Sequence, residues 1–362
     1  MAAQISHALV GQDALALADP LRAGAMLDRY GAWFRLGCQG PDIFYHNQRT
    51  RPLSVLLGSL VHKRGAGSLA TALLGSATLL SPGQAREAWL AYCIGFISHI
   101  PLDRLTHPYI VHRAGWVKPK APETDAFRSC HPFLERILDA LYWEARTGEG
   151  PESFKQSELL LPPGGFDDAF IGAFSAAVAA AYPERYGRDA ELPARIANAW
   201  LDASYFYARS DPSRTSMRGN RAGGYNASFI RFGYRAVALV YPEDFSRETD
   251  WANEAGLAWT HPCEPERSYR DSYAELCAEA VREAAGFMGL AFKAADEGYG
   301  RDQLDALAAA IGDATLNVGA PDGTQAPAVY MDPLPLKAEM ERQFERRVAL
   351  LQAACGDEDK RA

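Results

Sequence analysis

The stretch AWLAYCIGFISHIPLDRLTHPYI, residues 88–110, constrains this chain more than any other. Its apolar residues fall on every side of a 3.6-residue period, so as a helix it belongs at the centre of a bundle rather than on its surface. Polar residues interrupt it at intervals of four. His99, Asp103 and His107 therefore share one face and form a single ridge. A carboxylate buried in such a helix costs several kcal/mol unless it is paired. The neighbouring helical segments offer few lysines or arginines to pair with it.

The rest of the chain fits around that helix. Helical spacing dominates and alternating β-branched runs are scarce, which predicts an all-α fold. Helices are expected over 20–36, 52–64, 67–79, 82–107, 132–146, 166–181, 192–209, 227–240, 267–295, 302–311 and 334–354, several starting at or beside a proline, where the first turn tolerates it. Loop signals lie at 37–52, 113–125, 146–165 and 211–226. The third of these separates residues 1–150, expected to carry the chemistry, from a helical region 151–362 that is either a second unit or part of the same domain.

Composition narrows the function classes. With 362 residues, 48% of them hydrophobic, the chain can bury a large core. A formal net charge of −8 argues against a protein that reads nucleic acid through a basic surface, though not against a nuclease that grips phosphate through metal. No run of apolar residues is long enough for a membrane span. The opening MAAQISHALVGQDALALADP lacks the basic and unbroken apolar regions of a secretion signal, and the six cysteines form no close-spaced pairs. Reduced thiols and a cytoplasmic location are expected.

His131 and Glu135 repeat the ridge's i, i+4 spacing on the next helix. Together with His7, Asp42 and His62 they give eight imidazole and carboxylate groups, a donor set suited to zinc and other first-row divalent metals. One such pair alone is more often an ion pair or a core histidine satisfied by a carboxylate. Competing motifs fit poorly: di-iron helices use Glu-x-x-His at i, i+3, and the adjacent His-Asp pair, HExxH and CxxC are all absent. A GxSxG elbow and a convincing Cys-His pair are absent too, so no protein nucleophile suggests itself.

Taken in order, His7, Asp42 in GPDI, His62 in LGSLVH, the HIPLDRLTHP ridge, and His131 with Glu135 in HPFLE resemble the zinc-dependent phospholipase C family. That family's secreted phospholipases have intracellular relatives, and S1/P1 nucleases share its architecture. The likeness covers roughly residues 1–150, with a weaker echo at 259–280. It implies a helical bundle of the phospholipase C and P1 nuclease type, extended by additional C-terminal helices, with two or three zinc ions in a cleft. By this likeness His62 and His99 hold one metal, Asp103 bridges it to a second near His7, and His107, His131 and Glu135 hold a third. Asp42 serves as a ligand or as the base that orients the attacking water.

The implied activity is phosphoester hydrolysis, most simply of a phosphodiester, by hydroxide shared between two metals bridged by Asp103. The expected substrate is a small phosphoester or a phospholipid-like molecule, not a specific nucleic-acid sequence. In the secreted phospholipases a terminal tryptophan also ligates metal, whereas the six residues before His7 include none. An S1/P1-like nuclease or a phosphomonoesterase is the alternative within phosphate chemistry, and a non-catalytic helical metal-binding scaffold is the alternative outside it.

Other polar residues receive weaker expectations. His46 is expected in solvent or behind the ligands, His112 beyond the helix end, and His261 in a structural role. Arg104, turned about 100° from Asp103, should point away from the metals. Lys118 and Lys120 are expected in a solvated loop, and Trp116 and Trp259 in packing.

Overall fold

A computed structural model describes residues 4–217, 233–319 and 326–358. The fold is all-α, with one two-stranded hairpin among the described residues. Six helices build the amino-terminal part: α1 Gln4–Ala18, α2 Pro20–Cys38, α3 Val55–Lys63, α4 Ala66–Gly75, α5 Gln84–Ala114 and α6 Cys130–Thr147. The longer helices that follow are α7 Asp168–Ala181, α8 Leu192–Arg209, α9 Tyr273–Asp296, α10 Arg301–Ile311 and α11 Leu336–Glu358. No helix among the described residues is long and apolar enough to cross a membrane.

Helix α5 is the central strut. It packs against α2, α9, α4 and α1, and its residues are buried from Ala88 to Leu102 apart from Leu90. The approach to α2 is so close that a Cβ on Gly95 would lie 2.1 Å from the Phe34 carbonyl oxygen, so only glycine fits there. The main apolar cluster runs from Ala14 on α1 to Leu316, so α9 and α10 share it with α2 and α5.

The outcome differs from the expected spans in several places. Helix α5 does not end before Pro108 but continues through it to Ala114, with Pro101 also inside. Each proline removes a backbone hydrogen bond. Burial of Tyr109 and Ile110 beyond the second one outweighs that loss.

Residues 267–269, the start of the helix expected over 267–295, instead belong to strand β2, Glu264–Tyr269, which pairs antiparallel with β1, Trp259–His261. The Trp259 and Tyr269 rings stack across the pair at 4.7 Å. Helix α9 starts only after them, behind a capping box in which Ser272 and Glu275 exchange hydrogen bonds.

Residues 227–232 of the helix expected over 227–240 lie outside the described residues, and 234–239 form a 3-10 turn. Of the loop expected over 211–226, residues 218–226 also lie outside them, and Pro212–Thr215 is a one-turn helix.

Helix α1 was not among the expected spans. Its start is capped from a distance: the buried Asp139 of α6 accepts from the Ile5 and Ser6 amides at 2.8 and 2.7 Å. That cap satisfies amides a helix leaves orphaned, and nothing local in the sequence announces it.

Candidate metal centre

Five elements converge on the HIPLDRLTHP ridge. Helix α1 brings His7 and the last turn of α3 brings His62. Helix α5 brings His99, Asp103 and His107, while α6 brings His131 and Glu135. Asp42 comes from a 3-10 turn, Gly40–Phe44. That turn lies tight against the ridge: Gly40 has φ +53°, and a Cβ on it would sit 2.3 Å from His99 Cγ.

All eight residues proposed from the sequence meet in one place. Asp103 is the hub. Its Oδ1 lies 3.3 Å from His7 Nε2, and its Oδ2 lies 3.1 Å from His99 Nε2, 3.5 Å from His62 Nε2 and 3.8 Å from His107 Nδ1. Asp42 Oδ1 is closer still to His62 Nε2, at 3.1 Å. At the other end of the ridge, Glu135 Oε1 faces His131 Nε2 at 2.9 Å and His107 Nε2 at 3.7 Å. Seven of the eight are buried, and His131 is partly exposed at the rim.

Three triads have ligand atoms within 4.8 Å of one another: His7, His99 and Asp103; Asp42, His62 and His99; and His107, His131 and Glu135. The third matches the grouping implied by the resemblance. The other two differ from it, because His99 falls in both and Asp42 joins His62 as a direct neighbour.

Two further observations fit a cation rather than a simple ion-pair cluster. Asp103 Oδ2 and His99 Nε2 stand 3.1 Å apart, yet no hydrogen bond of good geometry joins the two. Moreover, three imidazoles are tied on their far side to main-chain carbonyls. His62 Nδ1 donates to Gly58 O at 2.8 Å, His99 Nδ1 to Cys38 O at 3.3 Å, and His107 Nδ1 to Leu316 O. Each bond fixes a hydrogen on Nδ1 and turns Nε2 inward, the orientation a metal-binding histidine takes.

The electrostatics follow from this crowding. Burial alone would raise the Asp103 carboxyl, but the charges of His107 and His99 and hydrogen bonds from His62 and His7 hold it well below the usual range. Asp42 is likewise lowered against its burial, chiefly by the His62 hydrogen bond. Burial would lower His62, and its hydrogen bonds to Asp103 and Asp42 reverse that and raise it to about 10. Glu135 is held low against burial by His131 and His107.

A cavity of about 120 Å³ opens on this cluster, lined by Asp42, Tyr45, His62, His107, His131 and Asn317. Tyr45 and Asn317 were not singled out from the sequence. Tyr45 lies over the His62 ring at 4.9 Å, and burial, followed by the Asp42 and Asp103 charges, keeps its hydroxyl protonated. Three larger cavities among the described residues, one of them of about 380 Å³ between Arg64, Ser68 and Arg185, contain none of the eight residues.

The remaining histidines stand apart. His46, expected in solvent or behind the ligands, is buried, with its ring stacked on Phe206 at 4.2 Å and its pKa lowered by burial to about 3. His112 lies inside α5, not beyond it, near the Trp259 ring. His261 Nδ1 accepts from the Cys263 amide at 3.2 Å. Arg104 points away from the cluster and donates to Ile311, Gly312 and Ala314 carbonyls. Lys118 lies beside the Trp116 ring, and Lys120 is exposed.

Comparison of the chain with protein-family models, curated proteins and solved structures finds no match.

Proposed function

We propose that this chain is a zinc-dependent phosphoester hydrolase, acting first on phosphodiesters in the manner of phospholipase C. The observation that carries the reading is Asp103: a buried carboxylate faced by four imidazoles at 3.1 to 3.8 Å. The donor set suits zinc, and three-residue ligand groups, two of which contribute to the wall of a rim cavity, would leave coordination positions open, unlike a structural site closed by four protein ligands.

His7, His99 and Asp103, then Asp42 with His62, and finally His107, His131 and Glu135 would hold the ions. Zinc supplies Lewis acidity towards water and towards the nonbridging oxygens of a phosphoryl group. The protein's own part is arrangement. Asp103 ties the ligand groups together, the carbonyl-anchored imidazoles keep Nε2 inward, and the ionised Asp42 on the cavity wall orients the attacking water as a hydrogen-bond acceptor. The cavity holds about four water volumes at about 30 Å³ each, which accommodates a phosphoryl group and leaves the organic substituent outside. That volume also admits phosphomonoesters, and a nuclease of the S1/P1 kind would use the same centre.

The deciding experiment pairs zinc content by plasma mass spectrometry with hydrolysis of bis-p-nitrophenyl phosphate, with and without chelator. Two or three zinc ions per chain and chelator-sensitive hydrolysis are expected. Less than one metal and no hydrolysis would leave a helical scaffold and overturn the proposal.

A further inference from the structure

One wall of the cavity comes from far along the chain. Residues 312–317 follow α10 as a strap across the carboxy-terminal ends of α3 and α5. Arg104 grips its base, donating to the Ile311, Gly312 and Ala314 carbonyls at 2.6, 2.9 and 3.1 Å. Asp313 fastens the next turn to α4, accepting from the Ser68 amide and hydroxyl at 2.7 and 2.5 Å.

The end of the strap is built onto the ligand residues themselves. The Leu316 amide and the Thr315 hydroxyl both donate to the main-chain carbonyl of His62, at 2.8 and 2.9 Å. The Leu316 carbonyl in turn accepts from His107 Nδ1. Asn317 comes next, with its main-chain amide held by Thr315 Oγ1 at 3.2 Å, and it lines the cavity together with Tyr45. Its position is thus coupled to two imidazoles of the centre. Of the six lining residues, only Tyr45 and Asn317 lie outside the ligand triads.

We propose that Asn317 is a substrate-contacting residue whose carboxamide donates a hydrogen bond to a nonbridging oxygen of the phosphoryl group, delivered by the Arg104-anchored strap. The chemistry fits the place. A carboxamide N–H₂ is a neutral donor that neither competes for zinc nor repels an anion, and a bond to a charged acceptor is among the stronger kinds. This inference deepens the hydrolase reading and rests on it.

The test uses the full chain loaded with zinc and inorganic phosphate as the probe, comparing wild type with Asn317→Ala and Asn317→Leu. Phosphate affinity is read by calorimetry, zinc per chain by mass spectrometry, and KM and kcat with bis-p-nitrophenyl phosphate. Both variants should retain wild-type zinc and circular dichroism while binding phosphate about tenfold more weakly. Leucine fills the same space as asparagine without its donor, so wild-type phosphate affinity in Asn317→Leu would reduce Asn317 to packing and overturn the inference. Loss of zinc from either variant would overturn it as well, by placing Asn317's effect in the metal centre. If wild type itself held no zinc or bound no phosphate, the hydrolase reading would fall together with the inference. Normal wild-type binding with unaffected variants would sink the inference alone.

Discussion

At Asp103, the proposed metal would compete with protons for the same ring of imidazoles. Asp103→Asn keeps the shape of the side chain but removes the charge that four histidines face, so zinc content and hydrolysis should both collapse. Near-normal turnover by that variant would contradict the shared-metal arrangement. His62 gives the competition a measurable sign. Its hydrogen bonds to Asp103 and Asp42, working against burial, raise it to about 10, so in zinc-free protein it is protonated at pH 7. The stability this adds is fully present below its unfolded value of about 6.5 and is lost as pH rises through about 10. A ligating imidazole must be neutral, so loading zinc at pH 7 should release about one proton or more. Titration calorimetry in buffers of different ionisation enthalpy reads that count, and a value near zero would strike His62 from the ligand set. Glu135 belongs to the third triad alone. Glu135→Ala should therefore lower bound zinc by about one ion, with the other two triads complete, and leave the helical circular dichroism intact. Unchanged stoichiometry would remove Glu135 as a ligand.

Helix α5 imposes its packing on the other elements, and Gly95 is where that is most easily tested. Gly95→Ala would drive a methyl into the Phe34 carbonyl, forcing α2 away and costing about 1–3 kcal/mol by overpacking. Thermal unfolding of the zinc-free protein should show the loss, and an unchanged midpoint would mean that α2 and α5 are not so closely apposed. Much of this arrangement is legible in the sequence. The ridge on α5 and the His131–Glu135 pair follow from four-residue spacing, and α8 keeps its expected bounds at Leu192 and Arg209. What escapes is written in contacts between distant residues. Helix α1 has its first amides capped by Asp139 of α6, more than 130 residues away. Helix α5 outlasts Pro108 because Tyr109 and Ile110 find a core there. Asn317 reaches the centre because Arg104, Thr315 and Leu316 hold its strap, and no local pattern around it signals that destination.

Across the whole molecule, the centre joins α1, α3, α5, α6 and the turn bearing Asp42, and the strap adds the region after α10. A cation held there is a cross-link between segments that unfolding would separate. Metal that binds only the folded chain stabilises it by about 2.7 kcal/mol at a free concentration a hundredfold above Kd. For a chain of 362 residues that corresponds to a shift of about 3 °C in the thermal midpoint. Stripping with a chelator should lower the midpoint by that order, and zinc should restore it. The excess of acidic residues, a net charge of −8, also attracts divalent cations without any specific site, so calcium is the necessary control. Calcium prefers six to eight oxygen ligands, whereas five of the eight groups here are imidazoles. Rescue by zinc and not by calcium would tie the stabilisation to the histidine ridge. Equal rescue by both would trace it to the acidic surface, and superimposable melts with and without chelator would mean that no metal bridges these helices.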